Sequence, residues 1–198
     1  DFSGSVKLVF QPAEEGLGGA ETMVKEGILT NPRPDYALGI HVWNEQPIGW
    51  LGISSGPVMA ASEIFSVTIR GRGGHGALPS NTVDPVFAAA EIISALQSIV
   101  SRNVHPQKTA VVSVTAIHGG DAFNVIPQSV EIKGTIRTFE PAVREMVLTN
   151  FHRIVEGIAN SLGCKVAVNL QPLTPALIND DQVTTVVNQT TRKLWPDA

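Results

Sequence analysis

The sequence predicts an α+β fold, and three observations predict it. Apolar residues make up 43% of the 198 residues and charged residues 16%, a balance that can bury a sizeable core. From Glu63 onward the apolar pattern reads strand, helix, strand, strand, helix, strand. That order is the ferredoxin-like split unit, an antiparallel sheet with both helices on one face. Ahead of it the chain reads strand, helix, strand, the pattern of a parallel unit and so of a partial α/β layer.

The first strand is Val6 to Phe10, closed by Gln11-Pro12 because proline cannot continue a ladder. Gly18 to Glu26 reads as a short helix with Ala20, Met23 and Val24 on one side, stopped by Gly27 at the left-handed cap position. Tyr36 to Val42 is an apolar run of buried-strand type. After the turn at Ser55-Gly56-Pro57 a new alternating strand runs from Glu63 through Phe65 and Val67 to Ile69. A glycine-rich loop, Gly71 to Gly76, leads to a helix capped by Asp84 with Pro85 at its first position. Its expected core stripe is Val86, Ala89, Ala90, Ile93, Leu96 and Val100. Strands follow at Thr109–His118 and Ser129–Phe139, then a helix from Pro141 to near Gly163 with Met146, Val147, Ile154 and Ile158 inward, then a strand at Lys165–Leu170. Asp180 to Leu194 is a last helix. The expected domains are 1–56, a partial α/β layer; 57–172, a contiguous domain able to fold alone; and 173–198, a return to the first layer.

A net charge of −4 with scattered Lys and Arg offers no basic stripe, so neither nucleic acid nor anionic lipid is an expected partner. No apolar run is long enough to span a bilayer. The single cysteine, Cys164, leaves no intrachain disulfide framework and no thiol-rich metal site, and fits a cytoplasmic setting. The chain starts almost directly in a strand-like run and stops just after Leu194-Trp195-Pro196, so it is expected to be an internal fragment.

Gln11-Pro12-Ala13-Glu14-Glu15 places adjacent carboxylates at a strand end, where open sheets commonly build sites. At such a bend one carboxylate can bind a metal while the other faces its water; on the pair alone, two solvated glutamates is the commoner reading. His41, at the end of the next strand, can converge with Glu15 as a nitrogen donor, or can be an ordinary rim histidine. His105, His118 and His152 have no motif around them and read as structural or surface residues, and Cys164 as a buried, inert thiol. Trp43 and Trp50 line a pocket or pack a domain seam.

Five stretches in order carry a family resemblance: Val6-Lys-Leu-Val-Phe-Gln-Pro-Ala-Glu-Glu-Gly16; Gly39-Ile-His-Val-Trp43; Arg70-Gly-Arg-Gly-Gly-His-Gly-Ala-Leu-Pro79; Phe123-Asn-Val-Ile-Pro127; and Gly134-Thr-Ile-Arg-Thr-Phe139. With them the chain resembles the aminoacylase and carboxypeptidase G metallopeptidase family over nearly its whole length. The nearest branch is that of N-acyl-amino-acid amidohydrolases, hippurate hydrolases and auxin-conjugate hydrolases. The resemblance implies hydrolysis of the amide bond of N-acyl amino acids or related small amides. It implies Glu14 as general base, Glu15 and His41 as metal ligands, and His75 as the residue that steadies the oxyanion across a dimer. Asn124 and Arg137 would hold the substrate, the guanidinium suiting a free carboxylate. The implied cofactor is a pair of divalent ions per site, zinc, manganese or similar, and the implied partner a second copy joined through a lid at 57–172.

Full members of the family open with a Cys-Gly-His-Asp-Gly-His segment and close with a Gly-Ser-Glu-Asp-Phe segment leading to a last histidine ligand, and this chain has neither. Glu15 and His41 alone are too few protein donors, so the chain by itself is expected to hold metal weakly and to be inactive. Two other readings compete with the enzyme: a non-catalytic dimerisation module, and an amino-acid or peptide binding protein on the same fold.

Overall fold

The computed structural model describes residues 3–15 and 18–195. In chain order these form α1 (Gly19–Lys25), β1 (Gly56–Met59), β2 (Ala61–Arg70), β3 (Gly74–His75), α2 (Pro85–Ser98), β4 (Ala110–His118), β5 (Val125–Ile126), β6 (Ser129–Thr138), α3 (Pro141–Ser161), β7 (Lys165–Thr174), β8 (Leu177–Asn179) and α4 (Asp181–Leu194). The chain divides into two compact units, residues 1–56 with 179–198, and residues 57–178. No helix among the described residues is long and apolar enough to cross a membrane.

The second unit is the ferredoxin-like fold that the sequence predicts. Its four-stranded sheet has the order β4-β6-β2-β7, antiparallel throughout. Period-two alternation makes the core: along β2, Ala61, Glu63, Phe65, Val67 and Ile69 are buried, while the intervening residues are more open. β6 alternates in the same way, with Val130, Ile132, Ile136 and Thr138 inward. Phe65 meets Phe151 of α3 at a ring-centroid distance of 4.7 Å. Gly134 sits beneath this pair, and a Cβ there would lie 2.0 Å from the Ser113 carbonyl oxygen and 2.3 Å from Phe65 Cζ. Asp84 caps α2 by accepting from the amides of Val86 and Phe87.

The inward stripe of α2 is Ala88, Ala89, Ile92 and Leu96, continued by Ile99 in a π-helical turn at Ile99–Asn103. Of the expected stripe, Ala89 and Leu96 are buried and Ile93 partly so; Val86, Ala90 and Val100 are exposed. The run Val86-Phe-Ala-Ala-Ala90 is apolar all round, so spacing left the phase of the stripe open and the sheet chose it.

In the first unit α1 forms, preceded by Gly18 and followed by Gly27, both at positive φ. Its expected buried side is not found: Ala20 and Val24 are exposed and Met23 is intermediate. The runs 6–10 and 36–42 are not strands. Extended backbone forms a ladder only against a neighbour, and neither run has one among the described residues. Leu8, Phe10, Leu38, Ile40 and Val42 are accordingly exposed. In α4, Asp180 caps the start by accepting from the amides of Gln182 and Val183.

Candidate functional site

The first unit holds the carboxylate pair and His41. Lys7 donates to the carbonyls of Ile28 and Asn31, at 2.6 and 2.9 Å, tying the segment before the pair to the loop after α1. Ala13, just ahead of Glu14, has a φ of 52°. The Pro12 carbonyl lies against Gly19, where a Cβ would come within 1.7 Å of its oxygen, so only glycine lets the loop sit so close to α1. His41 donates from Nδ1 to the Val42 carbonyl at 2.6 Å. In the neutral ring that bond fixes the tautomer and leaves Nε2 with its lone pair, the form in which an imidazole binds metal. Nε2 stands 3.9 Å from Glu14 Oε1, with both side chains more than half exposed. Glu15, beside Glu14, is exposed.

These oxygen and imidazole donors fit a divalent ion in kind. In number they fall short, since among the described residues no group of three or more His, Cys, Asp or Glu gathers where it could hold a metal. Trp43 and His41 meet in an edge-type arrangement, with ring centroids 6.0 Å apart and planes inclined at 62°.

The second unit brings His75 and Asn124 together. β3 and β5 pair with His75 opposite Val125, and the Gly76 amide donates to the Asn124 carbonyl at 2.8 Å. A Cβ on Gly73 would meet the Ile126 carbonyl oxygen at 2.5 Å, so the glycines allow this close approach. His75 Nδ1 accepts from the Ala77 amide at 3.1 Å, which puts the ring proton on Nε2. His41 thus presents an acceptor nitrogen and His75 a donor.

Arg137 lies half-buried on β6, on the sheet face away from the helices. Its Nη1 donates to the carbonyls of Ile136 and Glu63, at 3.0 and 3.4 Å, and to Thr135 Oγ1. On the opposite face the Glu63 carboxylate is buried and paired with Arg144 of α3. Sequence reasoning passed over Thr135, Glu63 and Arg144. Glu63 had a signal, a charge at an inward position of an alternating strand; Thr135 had none.

Elsewhere, Lys133 first and then Ser66 hold the Glu131 carboxyl below its usual range. Burial, then the Asp84 carboxylate, push the Cys164 thiol up.

Residues 64–161 match a peptidase dimerisation domain. The hippurate hydrolase of Campylobacter jejuni is 38% identical over 198 aligned residues, covering 98% of this chain and 51% of that protein. An N-acetylcysteine deacetylase of Bacillus subtilis is 39% identical over 180 residues, covering 91% of this chain and 47% of that protein. Among solved structures, a Bacillus subtilis dinuclear metal binding peptidase from the M20 family superposes with a TM-score of 0.74 at 32% identity, covering 93% of this chain and 46% of that one. The chain spans about half the length of the curated relatives it matches.

Proposed function

The chain belongs to the M20 metallopeptidase family, that of the aminoacylases and carboxypeptidase G, and on that premise we propose that the whole protein hydrolyses the amide bond of N-acyl amino acids. The observation that carries this reading is the placement of the Glu14 carboxylate 3.9 Å from Nε2 of His41, in a ring whose other nitrogen is already committed to a carbonyl. Glu15 and His41 would hold metal in the whole protein together with further donors, and the relative described as dinuclear supports two ions per site. A divalent ion held there, zinc, manganese or similar, would supply a water acidified enough to attack at neutral pH. Glu14 takes the proton of that water and returns it to the leaving amine.

His75 donates from Nε2 to the carbonyl oxygen as that oxygen becomes anionic. Asn124 orients the substrate, and Arg137 grips its free carboxylate. In this reading residues 1–56 and 173–198 belong to the metal-bearing α/β layer, and 57–172 is a lid through which two copies pair. His75 then serves the site of the partner copy.

The substrate class is supported by the names of the relatives, a hydrolase of hippurate and a deacetylase of N-acetylcysteine, both N-acyl amino acids. The test is metal content and turnover of N-acetyl and N-benzoyl amino acids by the full-length protein, before and after chelation. Bound metal and chelator-sensitive turnover are expected. Absence of both from the full-length protein would overturn the enzyme reading and leave a dimerisation module.

A further inference from the structure

The three hydrogen bonds of Arg137 all leave from Nη1, and among the described residues Nε and Nη2 make none. The Nε–Nη2 edge carries two parallel N–H groups, the arrangement that matches a carboxylate. A long arginine side chain ordinarily loses rotamer freedom when it binds, so anything that fixes one corner beforehand strengthens the grip.

Thr135 is placed to do this. It precedes Arg137 by two residues on the same face of β6, so both side chains stand on one side of the sheet. Its Oγ1 donates to the Glu63 carbonyl at 3.0 Å, which uses its one proton and turns a lone pair toward Arg137 Nη1. The same Glu63 carbonyl also accepts from Nη1 at 3.4 Å. Glu63 is steadied from the other side of the sheet, where its buried carboxylate pairs with Arg144.

We propose that Thr135 is a positioning residue: its hydroxyl, oriented by the Glu63 carbonyl, anchors Nη1 of Arg137 so that the Nε–Nη2 edge is presented to the substrate's carboxylate. This rests on the reading of Arg137 given under Proposed function. Thr135→Val keeps the shape and strand preference of the side chain and removes the hydroxyl. Thr135→Ser keeps the hydroxyl and removes the methyl.

The experiment measures kcat and KM of the full-length protein with an N-acyl amino acid and with its carboxamide analogue, for wild type, both Thr135 variants and Arg137→Met. Thr135→Val should raise KM for the acid about tenfold with kcat within about twofold, and leave the carboxamide unaffected. Thr135→Ser should restore the acid's KM, and Arg137→Met should abolish the preference for the acid. The positioning role is overturned alone if Arg137→Met behaves in this way while Thr135→Val matches wild type, or raises both KM values without rescue by serine. It falls together with the reading of Arg137 if Arg137→Met leaves the acid's KM unchanged. Should Thr135→Val not fold, Thr135→Ala against Thr135→Ser decides the same question.

Discussion

Residues 57–178 and residues 1–56 with 179–198 are two halves with opposite habits. The former closes a sheet under two helices and hides Val67, Ile69, Ile92, Leu96, Ile132, Ile136 and Phe151 almost completely. In the latter, among the described residues, only Gly19 is buried, while Leu8, Phe10, Ile40 and Val42 stand exposed. Both contain apolar, strand-forming runs; what differs is the supply of partners. Every strand of the four-stranded sheet has a neighbour within its own unit, so alternation there becomes a core. Runs 6–10 and 36–42 have the composition of strands and no ladder. A motif can therefore be complete in sequence while the layer that would pack it is not formed.

The comparison predicts a gap in stability between the two regions. In this chain Ile132→Ala should lower the unfolding free energy of the second unit by about 2–5 kcal/mol, because it empties a filled core site. Leu8→Ala, at a side chain 74% exposed, should stay within about 0.5 kcal/mol. Denaturant titration of both variants checks the difference, and equal losses would erase the distinction.

A smaller effect comes from overfilling. Gly134→Ala should cost about 1–3 kcal/mol, since its methyl must displace the Phe65 ring or the strand at Ser113. Thermal melting measures it, and an unchanged midpoint would show that the sheet accommodates the group.

The mildest probe leaves the fold intact. Burial, and secondarily Asp84, raise the Cys164 thiol, so thiolate is disfavoured until the unit opens. A thiol reagent near pH 8 should label native Cys164 at least roughly tenfold more slowly than the denatured chain. Equal rates would mean that α2 and β7 separate readily.

Much of the second unit was legible because each of its elements carries a local mark. Asp84-Pro85 announces a helix start, and Ser129–Thr138 alternates without interruption. The phase of α2 was hidden by its alanines. The strand reading of 6–10 and 36–42 failed because β-propensity reports composition and cannot supply a neighbour. Of the candidate site, residue type and position made Glu14, Glu15 and His41 candidates, and only the family resemblance set them above solvated glutamates and a rim histidine. The choice of tautomer at His41 and His75 could not, because it depends on which carbonyl or amide the fold brings to Nδ1. Thr135 was invisible for a related reason: a hydroxyl on an open sheet face leaves no trace in the apolar pattern.

If Glu14 moves protons while Glu15 and His41 hold metal, Glu14→Gln in the full-length protein separates the two roles. Metal stoichiometry and kcat with an N-acyl amino acid should be measured side by side. Unchanged metal and a fall in kcat of about 10³-fold are expected, within the range a general base contributes. Retained turnover, or loss of metal along with turnover, would contradict this assignment, the first by removing Glu14 from the reaction and the second by making it a ligand.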